Sequence, residues 1–260
     1  MNSSKIKSTL FDALHKAGAA MKTAIDRPKD IRKKNTDLDL VTETDKHCEK
    51  LIIETVQKHF PDHAFLTEES PAFGQSASRW IVDPVDGTTN FAHGYPVACV
   101  SIAFEHDGVI RMGGVFDPFR NELFWAEKGK GAFLNDKPIR VSAVSDISEA
   151  LIATGFPYDL RDHVDDYLAV FRAFLMRAQG IRRAGAAAID LCNVACGRYD
   201  AFYEKNLKAW DKAAGMLIVE EAGGKVSNFS GETLGLMELG NLASTGTLHA
   251  QMLEILAPFQ

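Results

Sequence analysis

The stretch from Val97 to Arg140 constrains the fold more than any other part of the chain. Apolar runs and turn signals succeed one another too closely for helices. "VACVSIAFE" turns at "HDG", "VIRMGGVFDP" turns near "FRNE", and "LFWAEKGKGAFLND" ends in a further turn before "KPIRVS". Strands joined by so few residues pair antiparallel. A meander of this kind needs cover on its apolar side, and the flanking segments must supply it.

Upstream, Ile6, Leu10, Leu14, Ala17, Met21 and Ile25 recur every three or four residues, which predicts an amphipathic helix over about 4–25. After a polar loop, Leu51, Ile52, Val56 and Phe60 mark the apolar face of a second helix over about 43–59. Short strands follow at "AFLTEE" and "RWIVD". Downstream the pattern alternates. "ALIATGF" reads as a buried strand, and 162–179 as a helix with Tyr167, Val170, Phe171 and Phe174 inward. "AAAIDLCNVACG" reads as a helix stopped by Gly197, "YDAFYE" as a strand, and "WDKAAGMLIVEEAGG" as a helix closed by Gly223 and Gly224. "KVSNF" and "NLAST" are strands, and "LHAQMLEIL" is a last helix. An antiparallel half over about 1–145 and an alternating half over about 146–260 predict helices and sheets in stacked layers, within one compact unit.

With 260 residues, 46% of them hydrophobic and 25% charged, the chain has the balance of a soluble globular protein. No run approaches the roughly 18 apolar residues that a membrane span needs. Asp12, His15 and Lys16 break any signal-peptide core in the first helix, so the expectation is cytoplasmic, without membrane contact. Cys48, Cys99, Cys192 and Cys196 lack partners at zinc-site spacing and read as packed, reduced thiols. Net charge is −6, and the basic stretches are short ("RKK" at Arg32 to Lys34, and Arg182–Arg183), which argues against nucleic acid as the primary ligand.

The chemistry concentrates in "WIVDPVDGTTNFAHGYP", residues 80–96. An apolar run carries Asp83 to the rim of a buried strand, where a lone ionised carboxylate is costly. Pro84 removes a backbone donor and stiffens the exit, and Asp86 can swing back toward the same point as Asp83. Two like charges converging in a semi-buried site repel, and a divalent cation turns that repulsion into binding. Oxygen-only ligation points to Mg²⁺. Gly87 permits a tight turn into "TTNF", a short helical segment whose N–H groups offer a phosphate seat, and Thr88 adds a hydroxyl able to hold a water. The stretch reads as a site for metal-assisted hydrolysis of a phosphate ester.

This stretch resembles the signature of the inositol monophosphatase family of Mg²⁺-dependent, lithium-sensitive phosphatases. "LKAWDKAAGMLIVEEAGG" (207–224) is similar to a second family segment, and "DLVTETD" (39–45), "FLTEES" (65–70) and "RRAGAAAIDLCNVACGRYDAFYE" (182–204) match in the expected order. The resemblance implies an α/β (α+β) fold, a layered α-β-α-β-α sandwich of the inositol monophosphatase and fructose-1,6-bisphosphatase type. It also implies a homodimer and two or three Mg²⁺ ions per site. It makes Glu68, Asp83, Asp86 and Asp211 metal ligands, together with the carbonyl of Val85. From pattern alone, Glu68 and Glu69 cannot be told apart, and Asp211 and Asp45 could each cap the helix they begin.

The implied mechanism is in-line attack by a metal-activated water on a small phosphate ester. Glu68 and Thr88 would position and deprotonate the water, and Asp45 would support Thr88. Asp86, Gly87, Thr88, Gly185, Ala186, Ala187, Glu204 and Asp211 would contact substrate. Lys34 matches a lysine on the family's metal-site loop. Ala186 stands where many members carry Ser or Thr, so one side-chain contact to a cyclitol is missing. "GTTNF" rather than "GTKEF" argues against the related 3′-phosphoadenosine nucleotidases. Inositol monophosphates lead as substrates, with broader sugar phosphatase activity, including fructose-1,6-bisphosphate, as the alternative. A partner-binding protein that retains the fold is the reading from another class. His93 is expected to hold the "FAHGYP" turn by a hydrogen bond. Arg182 and Arg183 are expected at a subunit contact or in solvent, and Phe116, Phe119, Phe124 and Trp125 in core or dimer surface.

Overall fold

The computed structural model of the chain describes residues 2–27, 31–34 and 39–259. Helix α1 (Ser3–Ala24) is the expected amphipathic helix, capped by the Asn2 side chain and buried along Ile6, Leu10, Leu14, Ala17 and Met21. Strands β1 (Ile31–Lys33) and β2 (Leu40–Thr42) pair antiparallel and lead into α2 (Glu43–Gln57). Next come β3 (Ala64–Thr67), β4 (Ser78–Asp86) and the single turn α3 (Thr88–Ala92). The meander is β5 (Cys99–His106), β6 (Val109–Asp117), β7 (Glu122–Glu127), β8 (Ala132–Leu134) and β9 (Lys137–Ile139).

Strands β3 to β9 form a seven-stranded sheet in chain order. It is antiparallel throughout, except that β3 runs parallel to β4. The turn signals work as expected: Asp107 and Gly108, Asn121 and Asn135 all take positive φ at the hairpin tips.

The second half supplies β10 (Leu151–Thr154), α4 (Val164–Leu175), β11 (Gly180–Arg182), α5 (Ala187–Ala195) and β12 (Ala201–Lys205). Then follow α6 (Ala209–Glu221), β13 (Gly224–Ser227), β14 (Gly240–Thr245) and α7 (His249–Leu256). The second sheet has five strands in the order β11-β10-β12-β14-β13. Helix α4 is shorter than the apolar periodicity predicts. Val170 and Phe174 are buried, but Leu175 and Met176 are exposed, and the chain must turn so that Gly180–Arg182 can pair parallel with β10. Arg182 therefore ends a strand that its local sequence does not announce.

Alternation along the strands sorts the layers. Trp80, Val82, Val100, Ile102 and Phe104 pack with α1 and α2 on one face of the large sheet. Ile81, Cys99, Ala103 and Val115 pack with α5 and α6 on the other, joined from the second sheet by Ala153, Phe202 and Ala243. The far face of the second sheet (Ile152, Ala201, Leu242) is closed by Val170 and Phe174 of α4 and by Met252 and Leu256 of α7. The order is α-β-α-β-α. Phe116 and Phe124 are core, and Phe119 and Trp125 pack partly buried beneath α1. All four cysteines are free thiols. Among the described residues no helix is long and apolar enough to cross a membrane.

One buried polar group ties the last layer together. His249 of α7 is hydrogen-bonded through Nε2 to Ser227 Oγ (2.9 Å) and through Nδ1 to Ser244 Oγ (2.7 Å), joining β13, β14 and α7. Burial, then the positive charge of Lys225, lower its pKa to about 4. The unfolded chain binds this proton more readily than the folded one between about pH 4 and the ordinary histidine value near 6.5. The stabilisation is thus complete above that value and lost as pH falls through the window, by at most about 3 kcal/mol. Thermal melts of the wild type and His249→Asn are expected to show a shallower acid-side fall in Tm for the variant; parallel curves would contradict this.

Candidate active site

On a regular strand, residues three apart point to opposite faces. Asp83 and Asp86 do not, because the β4–β5 register breaks between them: Asp83 pairs with Ser101, and Asp86 with Cys99. The bulge at Pro84–Val85 adds one residue on β4, turns Val85 back into the α1–α2 core, and brings both carboxylates to the α5–α6 side. Asp86 Oδ1 and Oδ2 accept the N–H groups of Ala187 (3.2 Å) and Ala188 (2.8 Å) at the start of α5. Asp83 Oδ1 accepts Val85 N–H at 3.0 Å, and its strand partner Ser101 donates to the carbonyl of Trp210 in the first turn of α6.

Asp211 lies in that same first turn, and its Oδ2 accepts the Lys208 N–H at 2.6 Å, so it does cap α6. Glu68 follows β3, with its N–H still on Val82 O at 3.2 Å, and its carboxyl shares a hydrogen bond with Asp83. Glu69, which the pattern could not separate from it, also bonds Lys34 but feels the charge of Asp45 rather than a bond to Asp83. Burial first, then neighbouring carboxylates, push these acids up: Glu68 and Asp211 to about 7, Asp86 to about 6, and Asp83 well above its ordinary range. Lys34 is the cation set against Glu68, and Lys208 and Lys212 act on Asp211. Lys34 Nζ lies 2.8 Å from Glu68 Oε1 and also bonds Glu69, and these two carboxylates raise its pKa against the effect of burial.

Thr88 opens α3 and is buried. Its Oγ1 lies 3.0 Å from Asp45 Oδ1 and 2.9 Å from the Val85 carbonyl. With its one proton directed to either acceptor, the hydroxyl keeps lone pairs for a water. Asp45 also accepts Thr42 N–H at 2.9 Å in a capping box for α2, so both roles open in the sequence are filled at once. Gly87 has φ +88°, and a Cβ there would lie 2.8 Å from Val97 O. Helix α3 spans five residues, so a phosphate would be held by individual N–H groups rather than by a developed dipole.

The remaining residues stand behind and around this cluster. Ala186 and Ala187 are buried, the Ala187 N–H is used by Asp86, and Gly185 O accepts from Asn90 Nδ2 at 3.3 Å. They border the site through Asp86. The Glu204 carboxylate rests on the Cα of Gly155, where a Cβ would come within 2.1 Å of it; burial, then Asp190 and Asp211, push its pKa well up. Arg182 and Arg183 are exposed, with Arg183 5.9 Å from the Phe156 ring. His93 is exposed too, and the turn expected to need it is closed by backbone bonds, Tyr95 N to Asn90 O (2.8 Å) and Gly94 N to Phe91 O (3.0 Å).

The sequence reading missed two residues here. Asp190 of α5 is 1% exposed, and after burial the charge of Asp86 pushes its pKa up most. The Tyr158 phenol faces Glu68, Asp211, Asp39 and Asp83 although its residue is 47% exposed. Asp190 lies within the 182–204 segment quoted above, where nothing in the local pattern singles it out, and Tyr158 lies in none of the quoted segments.

The donor set fits a hard cation: it consists of oxygens, it is acidic, and it is short of positive charge. Among the described residues no three Asp, Glu, His or Cys side chains already form a closed chelate. Mg²⁺ does not require one, because it keeps several waters and takes one or two carboxylates per ion.

The profile of the Inositol monophosphatase family matches residues 2–258. The chain is 43% identical over 254 residues to a putative Nus factor SuhB of Neisseria meningitidis serogroup B, covering 96% of this chain and 97% of that one. It is 43% identical over 248 residues to an inositol-1-monophosphatase of Synechocystis, covering 95% and 86%. The crystal structure of the extragenic suppressor protein suhB from Bartonella henselae superposes with a TM-score of 0.93 at 39% identity, covering 96% of this chain and 98% of that one.

Proposed function

The chain belongs to the inositol monophosphatase family, and on that premise we propose that it is a Mg²⁺-dependent phosphomonoesterase releasing phosphate from inositol monophosphates. The observation that carries this reading is the β4 bulge, which turns Asp83 and Asp86 to one face beside Glu68 and Asp211, next to the Thr88–Asp45 pair. Glu68, Asp83, Asp86, Asp211 and the Val85 carbonyl would hold the metal. Bound Mg²⁺ supplies Lewis acidity, offsetting charge on the phosphate oxygens and making water more acidic.

The chain's own groups do the rest. Thr88, fixed by Asp45, accepts a hydrogen bond from the attacking water and orients it in line with the leaving oxygen. Glu68 takes the proton as general base. Asp86 and Glu204 flank the leaving group as hydrogen-bond acceptors for its hydroxyls, with Gly185, Ala186 and Ala187 shaping the wall behind Asp86. A homodimer in the cytoplasm belongs to the same reading. Sedimentation as a monomer at micromolar concentration would contradict the dimer.

The SuhB relative's designation as a putative Nus factor favours a second reading, a regulatory role carried by the surface. A panel of inositol-1-phosphate, fructose-1,6-bisphosphate, 3′-phosphoadenosine-5′-phosphate and β-glycerophosphate, each with Mg²⁺ and with added Li⁺, separates the readings. Lithium-inhibited turnover greatest on inositol-1-phosphate is expected. Preference for fructose-1,6-bisphosphate would move the assignment to a broader sugar phosphatase. Folded protein without turnover on any ester would favour the regulatory role.

A further inference from the structure

We propose that Glu49 is a positioning residue for Glu68, and that one face of α2 sets the spacing between the two groups that handle the attacking water. This rests on the phosphatase reading above. Glu49 is 3% exposed, and both its oxygens are used on one short turn: Oε2 accepts the Glu69 N–H at 2.9 Å, and Oε1 accepts the Ser70 hydroxyl. A carboxylate buried this deeply is costly unless its bonds are strong, and charge-assisted bonds to an N–H and an O–H are.

The geometry of the turn says what those bonds do. Consecutive residues of an extended chain point to opposite sides. Glu68 and Glu69 nevertheless both reach Nζ of Lys34. The chain must therefore leave β3 between them. It is still on the ladder at Glu68 N–H, bonded to Val82 O at 3.2 Å, and Thr67 Oγ1 closes the corner on Ser70 O at 3.2 Å. Glu49 holds the far side of that corner, and so fixes where Glu68 stands relative to Asp83.

Asp45 lies four residues before Glu49 and thus on the same helical face. Asp45 holds the Thr88 hydroxyl, and Glu49 holds the turn that carries Glu68. Helix α2 is thus a rigid rule between Thr88 and Glu68. It is locked in the core by Cys48, Ile52 and Val56, all at 0% exposure. Groups that orient a metal ligand in this way affect metal affinity or activity by about 10–100-fold when removed.

The test is calorimetric titration of Mg²⁺ into the wild type, Glu49→Gln and Ser70→Ala, with thermal melts and steady-state kinetics on each. Glu49→Gln keeps the volume but can accept with one oxygen only. It is expected to weaken Mg²⁺ binding at least about tenfold and to lower kcat at subsaturating Mg²⁺, with substrate KM at saturating Mg²⁺ within twofold. Ser70→Ala removes one of the two bonds without touching the buried acid, and is expected to shift Mg²⁺ binding in the same direction by less. It also keeps the test intact should Glu49→Gln fail to fold. A wild-type chain that binds no Mg²⁺ would overturn the phosphatase reading and this proposal with it. Wild-type binding matched by both variants, with only Tm lowered, would overturn the positioning role alone.

Discussion

Asp86→Asn is expected to reduce phosphate release at least about 10²–10³-fold while the chain stays folded. Asparagine has the same shape and keeps one oxygen for the N–H groups of Ala187 and Ala188, which Asp86 now receives at 3.2 and 2.8 Å. Its amide nitrogen would oppose the other N–H, a conflict of about 1–3 kcal/mol. Against that, the substitution removes a buried charge whose pKa, pushed up first by burial, reports an unfavourable site for a carboxylate. The two effects offset each other in stability but not in catalysis, where the lost charge is the one that would bind cation. Phosphate release and thermal melts on the same preparation check this. Retention of more than a tenth of the activity would remove Asp86 from the metal-binding set.

Gly87→Ala is expected to cost about 2–4 kcal/mol, lowering Tm by roughly 5–12 °C, and to reduce activity more than tenfold. The residue has φ +88°, and a Cβ would meet the Val97 carbonyl at 2.8 Å and the Ala186 Cβ at 3.2 Å. Neither neighbour is the tip of a flexible side chain, so the turn itself must shift. Thr88 is the next residue, and its distances to Asp45 (3.0 Å) and Val85 (2.9 Å) leave little room for that shift. A variant that melts like the wild type and turns over at its rate would show that the turn does not position Thr88.

The hairpins were legible because each tip carries its own chemistry: Asp107 with Gly108, Asn121 and Asn135 accept positive φ, and that preference is local. The cover for the sheet was legible from helical periodicity in α1 and α2. Strand β11 was not, because three residues pair with β10 through a register that only the assembled sheet defines. Helix α4 is shorter than its sequence predicts because apolar spacing continues through Leu175 and Met176, which the fold leaves in solvent.

In the site, Asp83 and Asp86 announced themselves as a motif, but the reason they share a face did not. It is a bulge set by pairing with β5, a contact between distant segments. Glu68 and Glu69 both bond Lys34 and differ in what else acts on them, Asp83 for one and Asp45 for the other, and composition carries no trace of that. Glu49 has no signature either, since its role depends on where α2 packs. His93 misled for the opposite reason: its sequence position invited a role that backbone bonds already fill.

Phosphate release from inositol-1-phosphate by the wild-type chain, with Mg²⁺, with EDTA, and with Mg²⁺ restored after EDTA, tests the central claim most directly. Turnover with Mg²⁺, its loss in EDTA and its return on adding Mg²⁺ back are the predicted results. Turnover undiminished by EDTA, or none from folded protein in Mg²⁺, would contradict it.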